Sequence, residues 1–225
     1  MFEKLAEKVR VAVANAAPQP FDPEVFQDPV ATATKWTPAS TSGTNMRSHR
    51  LVEDSADRLV YRPAASVKVF CGIFFFLGLA CSLAFALGVA QDSEGMGFPE
   101  VLLPIGFGGL FMAVGAGMYW GFSSPRVFDR RRGLYWKGRK SPDEVMNLAE
   151  IKGLTDLRQV HALQVLRRWV RGNKRSYWTY ELNLVLKDAS RTHVLVSGHG
   201  PSLREEAERL GQFLSVPVWV ADRSA

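Results

Sequence analysis

The sequence predicts an α+β membrane protein, with a two-helix transmembrane hairpin and a cytoplasmic antiparallel sheet closed by a C-terminal amphipathic helix. Three observations predict it. Val69 to Ala90 and Val101 to Phe122 are each 22 residues long without a charged side chain. Tyr177 to Lys187 alternates apolar and polar side chains, the period of a strand with one buried face. Leu203, Ala207, Leu210, Phe213 and Leu214 recur at helical spacing near the end of the chain. Averages hide this division: a mean hydropathy of -0.05 and 47% hydrophobic residues in 225 describe an ordinary soluble protein. The length excludes a large transporter or a multi-domain enzyme.

Ahead of the apolar blocks the chain divides into three pieces. Phe2, Leu5, Val9 and Ala12 lie opposite Glu3, Lys4, Glu7 and Lys8, so residues 1–17 form a short amphipathic helix suited to a bilayer surface or a protein. Glu3, Lys4, Glu7, Lys8 and Arg10 break any continuous apolar core there, and no secretory signal is expected. Residues 18–46 hold five of the twelve prolines and a Ser/Thr/Gly-rich run, the composition of an irregular linker. Residues 47–68 then supply two short strands, Arg47 to Glu53 and Arg58 to Arg62, around a turn at Asp54 to Asp57.

The hairpin occupies residues 69–122, with spans at 69–90 and 101–122. Twenty-two helical residues rise about 33 Å, enough for a hydrocarbon core of about 30 Å. The first span carries twelve Val, Ile, Leu or Phe residues, each favouring insertion by about 0.3–0.6 kcal/mol. The second holds Pro104 and six glycines and leans on its partner. Gly109, Ala113, Gly117 and Gly121 recur every four residues, as do Ala80, Ala84 and Gly88. Such stripes let backbones approach closely in lipid, within the hairpin or against a second copy of the chain or a partner protein. Cys71 and Cys81 stand about 15 Å apart along the first helix, too far for a disulfide, and read as small apolar residues.

The flanks set orientation. The connector 91–100 holds Asp92, Glu94 and Glu100 and no Lys or Arg, whereas Arg126, Arg130, Arg131, Arg132, Lys137, Arg139 and Lys140 follow the second span. By the positive-inside rule both termini are cytoplasmic. Neither span contains an ionisable side chain of an ion or proton pathway, and Tyr119 and Trp120 suit an interfacial anchor.

Residues 123–225 make the soluble domain. Strands are expected at Arg126 to Asp129, Gly133 to Arg139, within Leu154 to Trp169, at Tyr177 to Lys187 and at Arg191 to Ser197. In the fourth, Trp178, Tyr180, Leu182, Leu184 and Leu186 face the core while Thr179, Glu181, Asn183 and Lys187 face water. Ser202 with Glu205 forms a capping box for the helix, preceded by the loop Gly198 to Pro201, and Val216 to Val220 returns as a strand. The economical packing is one twisted antiparallel sheet under one helix.

A hairpin followed at once by Phe128-Asp129-Arg130 with Gly133, then Leu148 to Leu154 (LAEIKGL) and Leu210 to Pro217 (LGQFLSVP), resembles bacterial membrane proteins bearing pleckstrin-homology-like domains. In layout it is also similar to the two-span thylakoid factors of photosystem I assembly. The likeness spans Val69 to Val220, and the N-terminal 60 or so residues depart from it. It implies a non-catalytic scaffold or assembly factor in the bacterial inner membrane that binds proteins or lipids through a PH-like domain.

Side chains that carry chemistry are sparse. His49, His161, His193 and His199 sit in separate segments without zinc-ligand spacing, and no nucleophile elbow, P-loop or dinucleotide fingerprint occurs. No catalytic residue, metal or cofactor is expected, and Asp143 and Glu144 after Pro142 read as the start of a turn or helix. The informative residues are basic. Ser124 to Lys140 carries +6, and the run Arg167, Arg168, Trp169, Arg171, Lys174 and Arg175 carries +5, so the rest of this +6 chain is at -5. The first cluster fixes topology. The second is a solvated hairpin tip or a surface for a protein partner or anionic membrane lipids. Nucleic acid is not expected beside a membrane.

Overall fold

The computed structural model describes residues 21–41, 43–91, 98–170 and 176–221. The predicted helix over residues 1–17 lies outside them. The elements form an α+β protein with two sheets rather than one. The first has the order β1-β2-β3-β4-β5: β1 (His49–Ser55), β2 (Arg58–Pro63), β3 (Arg126–Asp129), β4 (Leu134–Lys137) and β5 (Lys152–Asp156). The second is ordered β8-β7-β6-β9: β6 (Val160–Val170), β7 (Tyr177–Leu186), β8 (Arg191–Ser197) and β9 (Val218–Ala221). All neighbours are antiparallel except β9, which runs parallel to β6 and corrects the expectation of a wholly antiparallel sheet.

Contacts along β8 run across the first sheet, from β5 to β3 to the residue ahead of β1. Thr192 Oγ1 meets Thr155 Oγ1 at 3.1 Å, Arg126 Nε donates to the Val194 carbonyl at 3.1 Å, and Ser48 Oγ donates to the Val196 carbonyl at 2.7 Å. The second sheet therefore crosses the first, and Tyr61, Phe128, Tyr135, Leu163, Leu182, Leu184 and Leu195 fill the core between them. Helix α4 (Gly200–Leu214) closes that core with Leu203, Ala207 and Leu210. The predicted capping box moves by one turn: His199 is the N-cap, its Nδ1 accepting from the Ser202 amide at 3.2 Å. The preceding loop is thus shorter than expected, because the Pro201 ring suits the first helical turn.

The strands predicted to stand apart before the membrane are part of this domain. β2 pairs with β3 in the register Leu59 to Phe128, Val60 to Val127 and Tyr61 to Arg126. The long helices α2 (Ala65–Gln91) and α3 (Phe98–Phe122) therefore fill the loop of a β-hairpin. Local periodicity revealed each strand; the pairing, across the whole apolar insert, has no local signature. α2 starts four residues before the uncharged block and includes Lys68. Both helices contain a segment long and apolar enough to cross a membrane, Ala65–Gly88 and Leu102–Phe122.

Residues 21–46 do not form an irregular linker. Asp22 and Asp28 accept amide bonds from Glu24 and Val30 and start a 3₁₀ turn (Pro23–Phe26) and helix α1 (Pro29–Ala33). Phe26, Val30, Ala31 and Trp36 then pack on Ala162, Val185 and Trp219, with the Phe26 and Trp36 rings stacked at 5.4 Å. This strap covers the outer face of the second sheet. β7, read as half-buried, consequently carries Thr179, Glu181 and Asn183 fully enclosed.

The predicted small-residue stripe is also displaced. A Cβ on Gly88, Gly109, Gly117 or Gly121 would meet nothing within 4 Å, and Ala80, Ala84 and Ala113 are exposed. The buried glycines are Gly78, Gly108 and Gly115: a Cβ on Gly115 would lie 2.7 Å from the Phe75 amide nitrogen and 2.8 Å from the Cys71 carbonyl. Gly115→Val is therefore expected to lower the melting temperature in detergent, through backbone overpacking of about 1–3 kcal/mol, whereas Gly117→Val stays within about 0.5 kcal/mol of the parent. Equal effects at both positions would contradict this interface.

Candidate functional site

The predicted partner-binding residues lie at the end of the longest strand pair. Trp169 and Trp178 face each other across β6 and β7, with ring centroids 4.8 Å apart, and the Arg167 guanidinium sits 3.8 Å above the Trp178 ring. The two indoles are 48% and 40% exposed, a large aromatic surface with a cation stacked on it. Arg168 plays a different part, since its guanidinium donates to the Ser40 carbonyl and pins the strap. Arg171, Lys174 and Arg175 lie outside the described residues.

The basic cluster after α3 is divided by the fold. Asp129 is enclosed, accepts from Arg58 Nη2 at 2.6 Å and from the Arg132 amide and Nη1 at 2.9 and 2.8 Å. Burial alone would raise its carboxyl, but hydrogen bonds from Arg58 and Arg132 hold it below the usual carboxylate range. Arg139 lies 3.9 Å over the Trp120 ring and donates to the Trp120 carbonyl at 2.7 Å, fastening the end of α3 to the sheet. Arg126 is enclosed and donates to the Ser124 and Val194 carbonyls and to His49 Nε2.

The sequence gives His49 no role, yet its surroundings make it a pH-sensitive support. Burial first, and then the Arg126 charge, depress it to about 3; His193 is lowered too, chiefly by burial. A depressed histidine stabilises the fold fully above its unfolded value near 6.5 and loses that contribution as pH falls toward the folded value. Between pH 7 and pH 5, His49 alone accounts for a loss of about 2 kcal/mol. His49→Gln is expected to flatten the dependence of melting temperature on pH across that range; an unchanged slope would contradict the assignment.

Glu181 is the other residue sequence reasoning misplaced, since alternation assigned it to water. Its carboxylate accepts from the Ala39 and Ser40 amides at 2.8 and 3.1 Å and from Asn183 Nδ2 at 2.7 Å. His193 Nδ1 is 3.9 Å away and 3.2 Å from Asn183 Oδ1. This network lies beneath the strap and serves to hold it. Among the described residues, no three His, Cys, Asp or Glu side chains come together to hold a metal ion.

A cavity of about 740 Å³ opens where α2 and α3 meet the sheets, with His49 and Arg126 in its wall. The fold thus presents two features on which binding chemistry can be built, an aromatic-basic strand tip and a basic cavity beside the helix ends. The chain matches no family model, no curated protein and no solved structure.

Proposed function

We propose that the protein is a non-catalytic, two-span integral protein of the bacterial inner membrane, a scaffold or assembly factor whose PH-like domain engages a protein partner. The membrane reading is supported by the apolar surface of α2 and α3, where Phe76 and Leu103 are 66% and 72% exposed and nothing in a soluble monomer would cover so extended a patch. The acidic connector and the basic residues after α3 support cytoplasmic termini. Two crossed sheets closed by one C-terminal amphipathic helix support the PH-like reading.

The observation that carries the partner surface is the exposed Trp169–Trp178 pair with Arg167 stacked on it, since aromatic and arginine side chains dominate binding energy at interfaces. The same pair suits contact with an anionic membrane surface, the second reading, because indole and guanidinium favour the interfacial zone. Photo-crosslinking in native membranes separates the two. A crosslinker at Trp169 is expected to capture one protein species that a crosslinker at the exposed Met146 does not, and Arg167→Glu should abolish the adduct. Capture of lipid alone would support the second reading, and identical adducts at both positions would remove the site.

A further inference from the structure

The cavity beside the helix ends has a divided wall. Val67 and Phe70 of α2 and Phe122 of α3 form its apolar side. Arg126, Lys137, Arg139, Lys140 and Lys152 supply the basic side, against a single acid, Glu150. Arg126 and Arg139 are committed to carbonyl groups and the Trp120 ring. Lys137, Lys140 and Lys152 have no carboxylate partner among the described residues. Burial, followed by the charges of Arg126 and Lys152, holds the Lys137 ammonium below the ordinary lysine range, so like charges share a partly enclosed space without compensation.

His49 adds an independent observation. It is 5% exposed, lines this cavity, and its Nδ1 has no hydrogen-bond partner. Its Nε2 faces Arg126, so the partnerless Nδ1 is a polar atom of the ring left buried without compensation. A buried polar atom without a partner is costly, and three ammonium groups lining the same cavity, outnumbering Glu150, call for an anion with several acceptor oxygens.

We propose that this cavity binds the phosphate of an anionic membrane phospholipid, held by Lys137, Lys140 and Lys152 above the buried His49 ring, with the start of the acyl chains against Phe70 and Phe122. Phosphate oxygens match the donors, and the apolar side favours a lipid over a free phosphate ester, which would leave Phe70 and Phe122 uncovered. The site rests on the membrane reading above and is separate from the Trp169 tip.

The test uses the full chain in neutral detergent, titrated with short-chain phosphatidylglycerol, short-chain phosphatidylcholine and glycerol 3-phosphate. The parent protein is expected to bind phosphatidylglycerol at least tenfold more tightly than either other probe. Lys137→Gln with Lys152→Gln should weaken it at least tenfold, and exposed Lys140→Gln, which cannot unfold the domain, several-fold, while Lys187→Gln, at an exposed position outside both candidate sites, leaves it unchanged. Unchanged binding in the cavity-lysine variants, equal binding of phosphatidylcholine, competition by glycerol 3-phosphate at the lipid's own affinity, or an equal loss in Lys187→Gln would each overturn the proposal. Alkaline extraction of membranes distinguishes its failure from that of the membrane reading: a protein that resists extraction but shows no lipid preference overturns the site alone, and one that is released overturns both.

Discussion

A chain in which residues 65–123 are replaced by a short glycine-containing turn is expected to fold as a water-soluble monomer, whereas residues 124–225 alone are expected not to fold. The register carries this prediction. β2 and β3 are antiparallel neighbours with Tyr61 opposite Arg126, so their ends can be joined by a turn of two to five residues. The C-terminal fragment lacks β1, β2 and the strap. It would lose Leu51, Leu59 and Tyr61 from the core and leave Phe128 and Tyr135 uncovered. Each buried side chain of this size contributes about 1.5–3 kcal/mol, so the three together rival the whole stability of a small domain. Gel filtration, near-ultraviolet circular dichroism and thermal melts check both proteins. A cooperative melt from residues 124–225 alone, at the temperature of the hairpin-replaced chain, would contradict the inserted-hairpin architecture.

Glu181→Ala is expected to lower the stability of the same domain by about 3–5 kcal/mol, the range for removing one member of a buried charged network. The substitution leaves the Ala39 and Ser40 amides and Asn183 Nδ2 without their acceptor, and it frees the strap from the face it covers. For a domain of this size that is about 10 °C in melting temperature, with new protease cleavage between residues 36 and 46. Glu181→Gln retains one acceptor oxygen and should lose less. A melting temperature within 2 °C of the parent for Glu181→Ala, by about the same scale, would show that the strap is held by its aromatic residues alone.

What the sequence made legible was what repeats locally. Two uncharged blocks, the alternation of Tyr177 to Leu186 and the apolar face of Leu203, Ala207 and Leu210 each declare an element within a dozen residues. What escaped was decided between distant segments. Pro23, Pro29 and Pro38 suggested a linker, while Phe21, Phe26 and Trp36 among them were the sign of a packed strap, with Phe21 against Trp36 and the Phe26 ring stacked on both Trp36 and Trp219. The glycine stripe failed for a geometric reason: steps of four residues advance 400° and drift about 40° round the helix each time, whereas the seven residues from Gly108 to Gly115 drift only about 20°. The wider spacing keeps its face toward α2. Of the candidate sites, the strand tip was visible in part because Arg167, Arg168 and Trp169 are consecutive, whereas Trp178 comes from the neighbouring strand. The cavity was not, because His49, Lys137 and Lys152 come from three strands joined only by the fold.

In the proposed membrane arrangement, one domain built from chain on both sides of the helical hairpin requires those two parts to share a compartment, with the connector in the other. Single cysteines placed at Ala39, Ser93 and Met146, in a chain with Cys71 and Cys81 replaced, can be challenged with a membrane-impermeant thiol reagent in intact cells. Ser93→Cys is expected to be labelled from outside, and Ala39→Cys and Met146→Cys only after the membrane is opened. Labelling of all three positions under the same condition, or of Ala39→Cys and Met146→Cys from opposite sides, would contradict the architecture.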